Sequence, residues 1–400
     1  MRILWVKVGG LWPLNAGGRL RSFHILSELS RRHRVTVLTT HRPGEDPNDA
    51  AKHLKDCERV VSFPYDAPKA GSLEFAGALA RSWTSLLPVD LLKWRVPALR
   101  AEAEWMLGSG AIDLCVADFL YAAANIPDVT TVPVILFAHN VEHILWKRLA
   151  GNEKRILRRA ILEMEWRKMR ARERSACARS RMVVAVSPVD AALLGQSCPA
   201  ADVRSMPTGV DTAYFSANGT PEGEAHLVFT GAMDWYPNED AMFFFIAEIL
   251  PRIREHVAKV SVTIAGRNPS PRLRDAGLTA GVRVTGTVDD VRPFIDEGSV
   301  YIVPLRIGGG TRLKIFEALS MGKAVVSTSI GAEGLPLEDG RHYMQADDPI
   351  AFAGAVVSLL RDPALRRALG AAGRDFVRSR YSWQSVAHEF ESQCHEALQA

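Results

Sequence analysis

Short apolar runs rich in β-branched residues alternate with amphipathic stretches along almost the whole chain, and this rhythm limits the fold more than any other feature. Strands separated by helices can join one sheet only as parallel neighbours, so the pattern calls for repeated βαβ units. The first unit has a buried strand over 3–8, a loop over 9–18, a helix over 19–32 and a strand over 34–40. Further strands are expected at 113–118, 133–138 and 182–186. Residues 198–217 contain Pro199, Pro207 and Gly209 and lack a helical period, so they read as an interdomain connection. A second series follows, with strands at 227–231, 260–266, 282–287, 300–304 and 324–328. Its helices are expected at 239–257, 289–297 and 312–321, and three more near 349–361, 363–378 and 383–398 close the chain.

Four hundred residues exceed what one core usually serves, so the rhythm implies two doubly wound α/β domains. We place them at 1–205 and 206–378, with a last helix over 379–400. At 47% hydrophobic and 24% charged, the chain is neither disordered nor fibrous. A formal charge of +4 is too small to argue for nucleic acid. Thirteen Lys or Arg against four Glu give residues 147–181 a local excess of nine positive charges. That segment reads as one long helix, either a solvated surface helix or a contact with anionic lipid. Five scattered cysteines, none in a Cys-x-x-Cys pair, fit a reducing compartment. The N-terminal apolar run is too short for a signal peptide, and no run approaches the length of a membrane span. The expected location is the cytoplasm, at most touching the inner face of the membrane.

Ligands of doubly wound folds bind at the carboxyl ends of the strands. Pro304-Leu-Arg-Ile-Gly-Gly-Gly-Thr-Arg-Leu-Lys-Ile-Phe-Glu317 is such a strand end. Gly308, Gly309 and Gly310 permit close approach to the backbone before Thr311, and the helix that then opens presents free N–H groups to an anion. Arg312 and Lys314 stand in its first turn, where the helix dipole disfavours each cation by about 0.3–1 kcal/mol, a placement that a bound diphosphate would offset. The plainer alternative is a flexible loop with Lys314 paired to Glu317 at i, i+3. In Val134-Ile-Leu-Phe-Ala-His-Asn-Val-Glu-His143 a buried strand ends in polar groups. His139 is the candidate there for contact with a ligand, with Asn140 and Glu142 behind it. A His capping the next helix, and a Glu142 that only supports that helix, are the plainer readings.

The segment 304–334 resembles the donor-binding motif of retaining glycosyltransferases of family 4, in the variant met among exopolysaccharide-associated sugar transferases. Nearly the whole chain shares the resemblance, most specifically residues 227–335. It implies the GT-B fold: two Rossmann-like domains facing each other across a cleft, with the terminal helix crossing back onto the first. Glu317 then matches the acid that holds the donor ribose. The family's other Glu, near the donor sugar, falls on Gly309. In the loop Gly231-Ala-Met-Asp-Trp-Tyr-Pro-Asn238 the family's phosphate-binding Arg and Lys are missing, and Arg312 and Lys314 are the nearest replacements.

Gly17 and Gly18 resemble the family's glycine pair, His139 its sugar-contacting His, and Arg267 stands where a phosphate or sugar could be reached. The backbone near Val288 lies where the donor base is read. The implied activity is metal-independent, hexosyltransferase-like transfer from a nucleoside-diphosphate sugar to a glycan or lipid-linked acceptor, with retention and without a bound cofactor. The absence of any Asp-x-Asp sequence agrees with metal independence. A nucleotide-sugar epimerase of the same fold and a non-catalytic nucleotide-sugar sensor are the alternatives.

Overall fold

Every strand pairing in the two sheets is parallel. The computed structural model describes residues 1–14, 17–69, 71–217, 219, 222–307 and 313–399, with the side chain of residue 152 set aside. The chain divides into two units, Met1–Pro207 with Val386–Ala400, and Thr208–Ser385. The first sheet comprises β1 (Arg2–Lys7), β2 (Arg34–His41), β3 (Arg59–Pro64), β4 (Leu114–Asp118), β5 (Val134–Ala138), β6 (Met182–Ala185) and β7 (Val203–Ser205). Its order is β3-β2-β1-β4-β5-β6-β7. The second comprises β8 (His226–Thr230), β9 (Ser261–Ala265), β10 (Arg283–Val284), β11 (Val300–Val303), β12 (Ala324–Ser327) and β13 (Met344–Gln345). Its order is β10-β9-β8-β11-β12-β13.

In each sheet the chain winds outward from the first strand and then returns to that strand's other side. This reversal leaves a crevice at the carboxyl ends of β1 and β4 in one sheet, and of β8 and β11 in the other. The central strands read as continuous apolar runs because both of their faces are covered. Trp5 of β1 and Phe137 of β5 pack with Phe390, whose helix Trp383–Gln399 contributes its residues from Val386 onward to the first unit.

Four segments differ from the sequence expectation. Residues 198–217 contain β7, which pairs with β6 through only three residues, too few to show a period. The strand expected over 282–287 is confined to Arg283–Val284, and Gly286 then turns the chain with φ of 78°. The basic segment 147–181 is two helices, Glu142–Asn152 and Ile156–Arg179. The helix expected over 239–257 starts at Tyr236 and widens to π geometry over Phe245–Ile249. Pro251, which lacks the N–H that would bond back one turn, explains the widening.

Backbone contact is closest where β8 and β9 end. A Cβ at Gly266 would lie 1.7 Å from the Gly231 carbonyl oxygen. Backbone against backbone cannot yield as a side chain can, so Gly266→Ala should cost about 3 kcal/mol, read from the urea midpoint. An unchanged midpoint would mean that the two strand ends are not held together.

Candidate functional site

At the first crevice the register sets Lys7, the last residue of β1, beside Asp118, the last of β4. Both are buried, with Lys7 Nζ 3.2 Å from Asp118 Oδ2. The same oxygen accepts from Trp5 Nε1 at 2.9 Å. His139, one residue beyond β5, brings Nε2 to 2.8 Å from Asp118 Oδ1. Its Nδ1 lies 2.7 Å from Arg21 Nη1. A guanidinium can only donate, so Nδ1 accepts and the ring proton sits on Nε2, facing the carboxylate. Burial pushes His139 down to about 3, against the pull of Asp118, and the ring is neutral. Burial would raise the Asp118 carboxyl, but Lys7, His139 and Ser22 outweigh it and hold it well below the usual range. Burial also lowers Arg21 to about 10, opposed by Asp118 and Asp190.

Phe119 covers this cluster. Its ring stacks on His139 with centroids 3.8 Å apart, and Lys7 Nζ stands 4.3 Å from the same ring centre. Its backbone has φ of 76° and ψ of 157°, a region nearly reserved for glycine, at a cost of about 1–3 kcal/mol. Gly18 makes room for it, since a Cβ there would meet the Phe119 ring at 2.6 Å. No comparable need is seen at Gly17, the first residue of the helix Gly17–Ser30.

In the second unit, Lys314 extends from the helix Leu313–Ser320 to the carboxyl end of β8. Its Nζ donates to Asn238 Oδ1 at 2.6 Å and lies 4.2 Å from the centre of the Phe229 ring. A Cβ at Gly231 would come within 2.9 Å of that ammonium, so the glycine lets the cation stand over the strand end. Asn238 is fixed in turn by donating Nδ2 to the Ala232 carbonyl at 2.8 Å. Glu317, one turn beyond Lys314, is partly buried; burial pushes its carboxyl up to about 7, and Lys314 pulls the other way. Behind it, Tyr301 of β11 shares a 2.5 Å hydrogen bond with Thr230 of β8.

The structure thus joins Gly18 and His139 in one cluster, and Gly231 and Lys314 in another, with Glu317 one turn from the lysine. Arg267 is exposed, its Nε 3.6 Å from Asp234 Oδ1 in the 231–238 loop. Val288 is partly buried in the loop after β10. Gly308, Gly309, Gly310, Thr311 and Arg312 lie outside the described residues. Asn140 is exposed and donates to Glu142 Oε1 at 3.3 Å. Glu142 is buried, accepts from Tyr121 at 3.0 Å, and is pushed up to about 6, chiefly by burial. Glu173, rather than Glu142, receives the backbone N–H groups of residues 142 and 143 and so closes that helix start.

Sequence reasoning missed Lys7, Arg21, Asp118, Phe119 and Asn238. A charged residue closing an apolar strand run, as Lys7 and Asp118 both do, was the available signal.

The state of His139 has a consequence for stability. An unfolded chain protonates this ring below its ordinary value of 6.5, whereas the folded protein resists until about 3. Stability should therefore fall as pH drops below 6.5, by up to about 1.4 kcal/mol per pH unit. Between pH 7 and 5 the protein should lose about 2 kcal/mol more than His139→Gln does in urea titrations. Equal losses would show that the ring is not held neutral.

The chain's similarities agree with this geometry. A family model described as Glycosyltransferase Family 4 matches residues 17–214, and one described as Glycosyl transferases group 1 matches residues 224–362. The phosphatidyl-myo-inositol mannosyltransferase of Mycobacterium leprae is 31% identical over 198 residues, 47% of this chain and 52% of that protein. The chain therefore spans about half the length of these mannosyltransferase relatives. A 44.6 kDa protein of the cps region of Klebsiella pneumoniae is 21% identical over 396 residues, 96% of this chain and 97% of its own. Among solved structures, sucrose-phosphate synthase of Thermosynechococcus elongatus matches with a TM-score of 0.67 at 15% identity, over all of both chains. HepE of Anabaena, solved with UDP-glucose, matches with a TM-score of 0.62 at 14% identity over 99% of this chain and 100% of its own. Those likenesses establish the fold, with two Rossmann-like domains of the GT-B type. On the two family models and these relatives, the chain belongs to the family 4 glycosyltransferases.

Proposed function

We propose that the protein transfers a sugar from a nucleoside-diphosphate donor to a glycan or lipid-linked acceptor, with retention of configuration and without a divalent metal, in the synthesis of a polysaccharide or glycoconjugate. The observation that carries the donor reading is the Lys314 ammonium, held over the glycine-lined end of β8 with Glu317 one turn away. A diphosphate leaving group carries about two negative charges, which must be balanced as the glycosidic bond breaks. Lys314 and, two residues before it in sequence, Arg312 supply that balance, while Glu317 accepts hydroxyl hydrogens of the ribose. HepE binds UDP-glucose, a donor of this class.

In the transfer itself, the acceptor oxygen bonds to the anomeric carbon on the face that the diphosphate leaves. The bond from that carbon to the diphosphate oxygen breaks, and the acceptor's proton passes to the departing oxygen. No covalent nucleophile is required, and the protein's part is positioning and electrostatics. The part of His139 is positional, since Arg21 holds its Nδ1, the Asp118 carboxylate lies 2.8 Å from its Nε2 and Phe119 lies over the ring.

A peripheral contact with an anionic membrane belongs to this reading. Among the described residues no helix is long and apolar enough to cross a membrane. Where the helix Glu142–Asn152 gives way to Ile156–Arg179, Ile156 and Leu157 are 84% and 83% exposed. Lys154, Arg155, Arg158 and Arg159 flank them. Apolar side chains amid cations suit the boundary between lipid headgroups and acyl chains.

Two experiments test the proposal. Arg312→Ala and Lys314→Ala should each weaken nucleoside diphosphate binding by about 1.5–3 kcal/mol in calorimetry, with non-additive effects in the double variant. Unphosphorylated nucleoside should bind as before to all three, Glu317→Gln should weaken both ligands, and wild-type turnover should survive EDTA. Equal loss of both ligands in the cation variants would place the phosphate site elsewhere, with Arg267 next in line. Separately, the protein should sediment with acidic vesicles at low salt and be released as salt rises, with Ile156→Asp/Leu157→Asp abolishing capture. Equal capture by neutral vesicles would discard the anionic-membrane contact.

A further inference from the structure

The first sheet carries a second feature at its carboxyl edge, on the side of β1 away from Asp118. A cavity of about 580 Å³ opens over the ends of β1, β2 and β3. That volume lies in the range of small-molecule sites and leaves room for one or two sugar rings.

Its floor is a loop built to hold an indole. Gly9 and Gly10 follow β1 with φ of 89° and 77°, in the left-handed region that favours glycine. Gly9 N–H donates to Thr40 Oγ1 at 2.9 Å, which ties the loop to the end of β2. Arg19 clamps the same loop, donating to the carbonyl oxygens of Gly9 at 2.8 Å and Trp12 at 3.1 Å. Trp12 is partly buried and stacks on His53 with centroids 3.6 Å apart. Across the cavity, Trp94 lies over Gly9, and Tyr65 packs 6.1 Å from it while its hydroxyl donates to the Lys93 carbonyl. Two partly buried indoles therefore line an open cavity on rigid supports.

The charges around the rim identify what such a cavity takes. Four cations face it, of which Lys93 is paired with Asp90 and Arg19 keeps its charge while clamping the loop carbonyls. Of the four carboxylates, Asp46 is committed to Lys52. Arg19, Arg42 and Lys69 then stand against Glu45, Asp49 and Asp66, so the rim carries no net charge. A phosphate group would find no net attraction there. A neutral polyol would find aromatic faces for its C–H surfaces, and carboxylate and guanidinium groups for its hydroxyls.

We propose that this cavity binds the terminal sugar of an uncharged glycan acceptor through Trp12 and Trp94, with Asp66 and Arg42 bonding its hydroxyls. The inference rests on the transferase reading for its biological meaning, but the binding itself is measured without donor.

The test uses the full chain and saturation-transfer NMR. Methyl glucosides, mannosides and galactosides and their neutral disaccharides are compared with glycerol 3-phosphate and inositol 1-phosphate. At least one neutral saccharide should receive saturation, and the two phosphates should not. Trp12→Ala should weaken that binding tenfold or more. Asp66→Asn and Arg42→Ala, both at exposed positions, should weaken it several-fold without moving the unfolding midpoint. Nucleoside diphosphate affinity, titrated on the same samples, should stay constant. The inference is overturned if no neutral saccharide binds, if the phosphates bind instead, or if saccharide binding survives all three substitutions. Failure of the nucleoside diphosphate to bind wild-type protein, with saccharide binding intact, would instead count against the donor reading and leave this site standing.

Discussion

Both candidate clusters depend on the reversal of winding within a parallel sheet. A strand can be followed by a parallel neighbour only through a crossover, and right-handed crossovers commit each half-sheet's helices to one face. When the chain returns to the other side of its first strand, the helices at the join leave toward opposite faces. The carboxyl ends of β1 and β4, and of β8 and β11, are therefore left uncovered by their own connections. Polar residues could be placed there without disrupting either core. Lys7 and Asp118 occupy one such pair of ends, and Thr230 and Gly231 begin the other.

The two crevices handle buried charge differently. In the first, Asp118 pairs with Lys7, accepts from Trp5 and lies 2.8 Å from His139 Nε2, and such contacts offset the cost of removing an ion pair from water. Keeping His139 neutral avoids adding a third buried cation beside Lys7 and Arg21. The strained backbone of Phe119 fits this account, because the ring it positions excludes water from His139 and from the lysine. Strain of that size persists only where the surroundings enforce it, and here a glycine at position 18 removes the one obstacle.

Much of the architecture was legible because buried parallel strands leave a trace of uninterrupted apolar residues. Strands β4, β5, β6, β11 and β12 fall within two residues of the expected limits for that reason. Elements that bury less left less. Strand β3 is only partly covered along its length, β7 spans three residues, and β10 and β13 span two each. The site was legible in a different way. Glycines and cations near a strand end drew attention to these loops, so Gly18, His139, Gly231 and Lys314 came forward as candidates. Their partners did not, because Asp118 and Asn238 act through tertiary contacts at sequence separations of 21 and 76, which periodicity cannot register. The long basic helix misled for a related reason. Its helical propensity carried across 153–155, where the chain breaks into two helices.

The position of Lys314 shows how a cation can be fixed at a helix start. A lysine in the first turn of a helix is opposed by the dipole, and its ammonium is drawn toward solvent. Three features hold it instead over the end of β8: the Asn238 carbonyl oxygen, the face of Phe229, and the missing side chain at Gly231. Phe229 is fully buried, and a cation against a desolvated ring face is stabilised by about 2 kcal/mol. None of these partners carries a negative charge, and Glu317, raised to about 7, is ionised only in part near neutrality. An arriving anion would meet a charge already fixed in place, with little ordering entropy left to lose, and it would also relieve the unfavourable interaction with the helix dipole. The proposed diphosphate contact draws on that combination at the end of β8, which the exposed Arg267 lacks.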